Sequence, residues 1–315
     1  MDNKTNLNIN LKFLTSRFFK FCTAGICAST IVCTPLISWA GDPFRQNNPR
    51  NIPIETETAF KTLFEEGNYT QAREYLLSVR DVPDNDPLFS ALIASLAYTE
   101  EDWKTLDIYA KQTTYIAKSI VKEDPLRGNL YLAVGNFLEG ASEYQKKGPV
   151  AAIAKLQLVL DYFDKAEAVD SQDPEFNLIK GYLNLLLAVH LPFSNPQQAI
   201  DNLQTYASPA YLVNRGIAVA YRDLEDYDLA LKFVDKAIES TPLNPELYYL
   251  KGQILKKKGR SEKNTDILTE ALENFDIALT KVDQLPERNI QKPLRRERRQ
   301  TVNYIEQFST TSSNK

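Results

Sequence analysis

Few side chains in this sequence have the types and spacing that catalysis or metal binding requires. The 315 residues include one histidine, His190, and three cysteines, which lie in the first forty residues as Cys22, Cys27 and Cys33. His190 ends an apolar helical pattern and lacks the nucleophile or companion ligands that a catalytic triad or a metal site needs. We therefore interpret it as a solvated histidine at a helix C-terminus, rather than as a ligand or a catalyst.

Acidic side chains are plentiful, but their placement argues against paired catalytic carboxylates. They cluster at predicted helix ends and turns, where solvated acids are common, as Glu65-Glu66, Glu100-Glu101 and Asp223 with Glu225-Asp226. The sequence also contains no HExxH zinc motif, no glycine-rich phosphate loop and no nucleophile elbow. We predict that the protein is not an enzyme and that it uses no metal and no cofactor.

Two basic runs could instead serve binding. One is Lys256-Lys257-Lys258, and the other contains Arg295-Arg296 and Arg298-Arg299. Cations are favoured near helix C-termini and on solvated caps, which is the simpler explanation. The alternative is a patch that contacts an acidic protein tail or, through the C-terminal helix, the surface of an anionic membrane.

The first forty residues have the pattern of a signal peptide. A basic start, residues 1–20, precedes an apolar run, residues 21–37, and Ser38-Trp39-Ala40 precedes Gly41. Small residues at the first and third positions before a cut suit a signal peptidase, so we predict cleavage after Ala40. The mature protein would be exported to the periplasm or another extracytoplasmic compartment. An uncleaved membrane anchor is the alternative, since the apolar run is near the lower limit for spanning a bilayer.

Removal of that segment would leave an acidic protein without cysteine. The whole chain has 37 Lys and Arg against 41 Asp and Glu, and residues 1–40 hold mostly basic ones. The resulting negative charge disfavours nucleic-acid binding. Since no disulfide could form, stability would have to come from packing.

The most regular stretch runs from Tyr211 to Pro245 and contains two amphipathic helical patterns. They are joined by the polar turn Leu224-Glu225-Asp226 and have about the length of one helix-turn-helix repeat. Apolar and small residues recur at three- and four-residue steps in both halves, and Pro242 ends the second half. The positions that carry the pattern are Ile217, Ala218, Tyr221, Tyr227, Ala230, Leu231, Val234, Ala237 and Ile238.

This stretch resembles a tetratricopeptide repeat (TPR) in its tyrosines, its spaced alanines and its closing proline. Other family-like positions are Gly67, Tyr69, Ala72, Gly252, Ala271, Phe275 and Ala278. The resemblance implies an all-α fold, namely a TPR-like α-solenoid of about six helix pairs plus a C-terminal capping helix. We expect the first helices of the pairs to start near residues 54, 87, 126, 174, 210 and 245.

These patterns divide the chain into five segments. They are the signal peptide (1–40), a flexible polar leader (41–53), the TPR-like repeat domain (54–285), a basic capping helix (286–308) and a disordered tail (309–315). The capping helix is expected because a terminal repeat would otherwise expose its apolar face.

The resemblance also implies a binding site. Members of the family bind peptides or partner helices in a concave groove lined by the first helix of each pair. The lysine and asparagine set with which some members hold a terminal carboxylate is not recognisable here. Rotation away from the buried stripes places the following residues on the groove face: Tyr182, Leu185, Arg215, Arg222, Tyr249, Gln253 and Lys256. Arginine and aromatic side chains are common interface anchors.

Together these features predict an exported scaffold that binds a protein partner in its groove, in assembly or transport at an envelope or lumenal membrane. The alternative is a small-molecule or lipid-binding component with a pocket near Phe176–Pro196, where a very apolar helix meets an irregular loop. A partner that copurifies stoichiometrically would favour the scaffold, and a retained hydrophobic ligand would favour the pocket.

Overall fold

The computed structural model describes residues 41–79, 86–190 and 195–313. Within these ranges the regular structure is entirely helical, with thirteen α-helices and no β-strand. The predicted all-α, TPR-like repeat fold is confirmed. The predicted signal peptide lies outside the described residues. No helix in the described ranges combines the length and the apolar character that crossing a bilayer would take.

The helices form six pairs and one terminal helix, and the first helices of the pairs begin within one residue of the predicted positions. The short segments Val282–Gln284 (3₁₀) and Glu287–Gln291 (π) lead into the terminal helix. The bounds are α1 Ile54–Phe64 and α2 Tyr69–Ser78, α3 Pro87–Thr99 and α4 Trp103–Ile120, α5 Pro125–Lys147 and α6 Pro149–Glu167, α7 Pro174–His190 and α8 Pro196–Tyr206, α9 Ala210–Asp223 and α10 Tyr227–Ser240, α11 Pro245–Glu262 and α12 Thr265–Leu279, and α13 Lys292–Ser313.

Four first helices start with the same two-residue signal, a capping side chain followed by proline. The pairs are Asp86-Pro87, Asp124-Pro125, Asp173-Pro174 and Asn244-Pro245. Each capping side chain accepts a hydrogen bond from a backbone N–H of the first turn, at 2.8 to 3.3 Å. Proline suits the first helical position because its N–H would be unpaired there. Each cap contributes about 1 kcal/mol, so the helix starts are fixed locally.

A three-residue signature recurs at the turns inside the pairs. Its first residue has a left-handed backbone, its second caps the following helix, and its third is aromatic. It appears as Gly67-Asn68-Tyr69, Glu101-Asp102-Trp103 and Glu225-Asp226-Tyr227, with φ of 85°, 61° and 65° at the first position. Glycine adopts this region without strain, whereas glutamate does so at a cost.

Small residues let the paired helices approach closely. Ala72, Ala230, Ala237, Ala271 and Ala278 are fully buried, as is Phe275, which packs against Gly252. Tyr69 and Tyr221 are also buried, whereas Tyr227 is half-buried and Pro242 is exposed. The alanines and Gly252 lie where two helix surfaces meet, because a larger side chain there would hold the axes apart.

The row of pairs closes on itself, because the first pair contacts the last. The Tyr69 hydroxyl donates to Glu246 Oε2 at 3.2 Å, and Thr70 Oγ1 donates to the Asp283 carbonyl at 2.8 Å. Arg288, just before α13, pairs with Glu101 at the α3–α4 turn. The first helices therefore face a shared centre instead of lining an open groove along the whole solenoid.

The segment predicted as a flexible leader, residues 41–53, is packed against the repeats. It forms no helix, but Phe44 and Ile52 are buried in the core. Arg45 and Arg50 both pair with Asp173 at the start of α7, and Arg50 also pairs with Glu175 at 2.8 Å. The polar composition suggested flexibility, but two apolar anchors and two ion-paired arginines hold the segment in place.

The C-terminal prediction also needs correction. The capping helix, predicted over 286–308, is α13 and runs from Lys292 to Ser313. Residues 309–313 are thus helical where a disordered tail was predicted, because the helix continues past its last buried turn. Residues 314–315 lie outside the described residues.

Closure leaves Glu66 partly buried at the α1–α2 turn, which predicts a pH effect. Burial and the Glu65 carboxylate raise the pKa of Glu66 to about 7, against the pull of Lys281. Between pH 4.5 and about 7 the folded state then holds a proton that the unfolded state releases, so stability falls as the pH rises. We expect Glu66→Gln to be more stable than wild type by about 1 kcal/mol at pH 8, after allowance for solvent screening.

Urea unfolding at pH 5 and pH 8 checks this prediction, because the gain of Glu66→Gln should shrink at the lower pH. Glu74→Gln is the matched control, since Glu74 is exposed on α2. A gain of equal size at both pH values would contradict the assignment.

Candidate functional site

The shared centre of the first helices is apolar. Side chains from α1, α3, α5, α7 and the start of α9, with Phe44 of the leader and two side chains of α6, line a void of about 120 Å³. The rings of Phe44 and Phe60 meet edge-to-face with centroids 5.0 Å apart, and Phe60 also contacts Phe64. Along the N-terminal repeats the concave face is therefore core.

Two of the predicted groove residues belong to this core. Tyr182 is 5% exposed and its hydroxyl donates to the Leu212 carbonyl at 2.6 Å, while Leu185 is 2% exposed. We correct their assignment to a partner-binding face. Both side chains do lie on the concave side of α7, as the helical periodicity predicted. In the closed solenoid, however, that side is the interior of the protein.

The other five predicted groove residues meet at one polar cavity. It measures about 480 Å³ and lies between α9, α11 and the capping helix α13, with walls that also include Pro293 and Arg296. The predicted residues that line it are Arg215, Arg222, Tyr249, Gln253 and Lys256. The open part of the concave face is thus confined to the C-terminal repeats.

Arg215 lies at the buried side of the cavity and is structural. It is 3% exposed and pairs with Glu246, which also accepts the Tyr69 hydrogen bond from α2. Burial opposes the charge, but the Glu246 carboxylate raises the pKa of Arg215 above its ordinary value. Its prediction as a groove contact is corrected, because the guanidinium joins α9 to Glu246 of α11, the same carboxylate that the first pair contacts through Tyr69.

Arg222 connects the two first helices that border the cavity. Its Nη1 donates to Gln253 Oε1 at 2.8 Å, and its Nε donates to Asp223 at 3.1 Å. The ion pair with its neighbour and the hydrogen bond to α11 fix the guanidinium at the wall of the cavity.

The capping helix α13 covers much of the face of α11 that was predicted to line the groove. The sequence did not reveal this contact. Glu297 of α13 accepts hydrogen bonds from the Tyr249 hydroxyl at 2.9 Å and from Gln253 Nε2 at 3.1 Å. Lys256 donates to Gln300 at 2.8 Å and lies 3.6 Å from a Glu297 oxygen. The available signal was Glu297 itself, which is the one acidic residue in the run of arginines from 295 to 299.

The cavity has an excess of positive charge. Its walls carry six basic side chains against three acidic ones, Asp223, Glu246 and Glu297. Lys257 and Arg296 are exposed and make no ion pair with any residue that the structure describes, whereas Arg260 lies over the Tyr304 ring at 5.2 Å. Anionic groups are therefore favoured in the cavity.

The electrostatics of Lys256 show the same imbalance. Burial lowers the pKa of Lys256, and the Arg296 and Arg260 guanidinium groups lower it further against the pull of Glu297. An added anion would relieve this repulsion between like charges.

A second charged cluster lies away from the cavity and holds the N-termini of three first helices together. Arg127 of α5 is 7% exposed and lies 2.9 Å from Asp86 at the start of α3 and 3.4 Å from Glu175 of α7. The Tyr131 hydroxyl donates to Glu175 at 2.6 Å, and Arg50 supplies a second cation. We assign this cluster to stability, because its groups are buried against one another.

The basic residues of α13 differ in their surroundings. Arg298 pairs with Asp276 of α12 at 2.5 Å, which ties the cap to the last repeat. Arg295 and Arg299 are exposed and do not line the cavity. The predicted contact of this helix with a membrane stays a prediction.

The alternative pocket near Phe176–Pro196 has no large apolar counterpart in the described part of that segment. Phe176 is fully buried, and the apolar void of about 120 Å³ is smaller than the roughly 300–1,000 Å³ of ordinary ligand sites. A groove of about 380 Å³ between α7 and α8 has asparagines in its walls. The side chain of His190 and residues 191–194 lie outside the described residues. Nowhere in the described ranges do three His, Cys, Asp or Glu side chains converge as metal ligands would.

Comparison with known families agrees with the repeat geometry. Two tetratricopeptide repeat models match the chain, one over residues 216–242 and the other over residues 233–263. A search of curated proteins gives no match. The matched region begins inside α9, at residue 216, and runs past the end of α11, so it includes most of both first helices that line the polar cavity. The chain therefore contains tetratricopeptide repeats over residues 216–263.

Proposed function

We propose that this protein is an exported scaffold that binds an acidic segment of a partner protein in the cavity between α9, α11 and α13. Tetratricopeptide repeats generally act in protein interaction and not in catalysis. The observation that carries the proposal is the cationic cavity itself, where the concave face stays open.

The exposed basic rim of the cavity favours a charged peptide segment. The volume of about 480 Å³ is that of an ordinary ligand site, and its basic rim of Lys257, Arg260 and Arg296 is exposed and so within reach of a longer chain. Carboxylates suit such a rim because guanidinium groups bind them through two parallel hydrogen bonds. The whole chain carries a formal charge of −4, so the attraction is local and does not extend to nucleic acid.

Export is part of the proposal and is supported by the signal-peptide pattern of residues 1–40. A packed helical scaffold without disulfides would then work in the periplasm or another extracytoplasmic compartment, in assembly or transport at the neighbouring membrane. Arg295 and Arg299, on the outer side of α13, would remain available for a peripheral membrane contact.

Charge reversal at the rim tests the binding site. We expect Lys257→Glu/Arg260→Glu/Arg296→Glu to weaken binding of a fluorescent Glu-rich decapeptide about tenfold or more, because long-range attraction becomes repulsion. The dissociation constant can be measured by fluorescence anisotropy, and binding to wild type should weaken as salt is raised. Circular dichroism should show unchanged helicity, since all three side chains are exposed.

The matched control reverses three exposed charges on α13 that do not line the cavity, as Lys292→Glu/Arg295→Glu/Arg299→Glu. It should bind within about twofold of wild type if the cavity is the site. An equal loss in the control would point to a diffuse surface contact, and a preference for a Lys-rich decapeptide would refute an acidic partner.

A further inference from the structure

The backbone nitrogen of Gly41 occupies a defined position against α1. It donates to Glu57 Oε2 at 2.8 Å, and the other oxygen of Glu57 receives Lys61 Nζ at 2.5 Å. The Glu57 side chain is 10% exposed, whereas that of Lys61 is 49% exposed. A nearly buried carboxylate therefore has one partner that is largely in water and one that is the nitrogen of Gly41.

The residues that follow hold this nitrogen in place. The Asp42 carboxylate accepts hydrogen bonds from the backbone N–H groups of Phe44, Arg45 and Arg50, at 2.8 to 3.2 Å. Phe44 is inserted into the apolar centre, as described above. The approach of Gly41 to Glu57 is thus fixed by a loop that is anchored on both sides.

A side chain at residue 41 would displace the Glu57 carboxylate from its present position. A Cβ atom on residue 41 would lie 2.5 Å from Glu57 Oε1 and 3.0 Å from its Cδ. Any other residue would push the carboxylate aside and separate it from the nitrogen. The absence of a side chain at the residue after the predicted cleavage position thus lets its nitrogen reach the carboxylate.

We propose that hydrolysis between Ala40 and Gly41 creates an α-ammonium group that forms an ion pair with Glu57 and thereby fastens the leader to the repeats. This inference rests on the export that we propose above. A signal peptidase with water as co-reactant breaks the C–N bond, the hydroxyl stays on the Ala40 carboxyl group, and the Gly41 amine takes up protons from water. Before cleavage the nitrogen offers one uncharged N–H, and afterwards it offers a positive charge and further protons.

The charges around the nitrogen favour the ammonium form. Glu57 faces it from α1, with Lys61 bound to the other oxygen of that carboxylate, and Asp42 lies on its own segment with its oxygens bound to backbone N–H groups. A carboxylate within hydrogen-bond distance favours the charged amine. Processing would therefore add an ion pair to the contacts that hold the leader against the repeats.

The experiment uses the full-length precursor, expressed in a host with an export pathway. Intact mass and N-terminal sequencing of the exported protein should show Gly41 as the first residue. The rate at which an N-hydroxysuccinimide ester acylates the α-amine then reports on its environment. We expect acylation to be about threefold or more faster in Glu57→Gln than in wild type at pH 8, because loss of the carboxylate frees and deprotonates the amine.

Lys61→Gln is the control, since it removes the other partner of Glu57 and should leave the amine protected. A mature N-terminus at another residue, or retention of Met1, would overturn the proposal, as would equal acylation rates in wild type and Glu57→Gln. If Glu57→Gln is not exported in folded form, the acylation rate of the wild-type protein is measured as a function of pH instead. A midpoint of that curve no higher than the ordinary α-amine pKa of about 8 would refute the ion pair. Retention of Met1 would count against export as well, whereas equal acylation rates would refute only the ion pair, and the peptide-binding test does not depend on either result.

Discussion

Replacing Arg127 with methionine is expected to lower the free energy of unfolding by about 3–5 kcal/mol, the cost of breaking a buried ion pair by removing one partner. The guanidinium lies between the buried carboxylates of Asp86 and Glu175, whose side chains are 2% and 0% exposed. Without Arg127 both carboxylates would remain in the interior, and Arg50 would be the main cation left for Glu175.

Chemical denaturation of wild type and Arg127→Met measures this difference. Burial raises the pKa of Glu175, and Arg127 is the largest opposing influence. In the variant that opposition is lost, so protonation of Glu175 should relieve part of the deficit as the pH is lowered. The double variant Arg127→Met/Glu175→Gln should recover part of the loss at neutral pH, because the buried charge is then absent.

Arg73→Met provides a control at an exposed ion pair. Arg73 lies 2.8 Å from Glu100, with side chains 45% and 35% exposed, and such pairs are worth about 0–1 kcal/mol. If Arg127→Met cost no more than this control, the cluster would contribute little to holding α3, α5 and α7 together.

The helix pairs were predictable from the sequence because their signals are local. Capping residues before proline, as in Asp173-Pro174, mark where first helices start, and the spaced alanines mark where paired helices cross. The turn that ends in Asp226-Tyr227 repeats the pattern of Asn68-Tyr69. Each of these features acts within about one helical turn, so no knowledge of distant contacts is needed.

Closure of the solenoid could not be predicted in the same way. It depends on pairs such as Tyr69 with Glu246, which are 177 residues apart. Periodicity shows which side of a helix is apolar but not which distant element will cover the other side. Arg215 illustrates the consequence, because it has the polar character of a surface residue and is buried by its pairing with Glu246.

The candidate site was predictable in part for the same reason. The helical periodicity of α9 and α11 predicts that Arg222, Gln253 and Lys256 share the concave face. The structure brings these three side chains to one cavity. The contribution of α13 was missed, because Glu297 reaches α11 through tertiary packing and not through any repeat pattern. The open groove of the family is thereby reduced to a site with a basic rim.

The closed arrangement has a functional consequence for a scaffold. A partner cannot lie along the full concave face, since the N-terminal part is filled by Phe44, Phe60 and their neighbours. It can only enter where α13 leaves the cavity beside α9 and α11 accessible. Recognition would therefore depend on a short segment and its charge, with the remaining repeats acting as a rigid support.

The second large effect is expected at Gly252, where α11 meets α12. A Cβ atom there would lie 2.6 Å from Cδ1 and Cε1 of the Phe275 ring and 3.2 Å from the Ala271 carbonyl oxygen. Phe275 and Ala271 are fully buried, so neither can move into solvent. We expect Gly252→Leu to lower the free energy of unfolding by about 3 kcal/mol, at the upper end of the range for overpacking, and Ala230→Leu by about 1–3 kcal/mol.

Gly252→Leu should also weaken binding at the cavity, because the Phe275 ring that it displaces lies 6.1 Å from the ring of Tyr249, which lines the cavity with Gln253 and Lys256 of the same helix. Thermal unfolding and the anisotropy assay on the folded variant measure the two effects separately. Lys257→Leu, at an exposed position on the same helix, should change stability by no more than about 0.5 kcal/mol. Melting temperatures of Gly252→Leu and Ala230→Leu equal to that of wild type would mean that the paired helices do not meet at these residues.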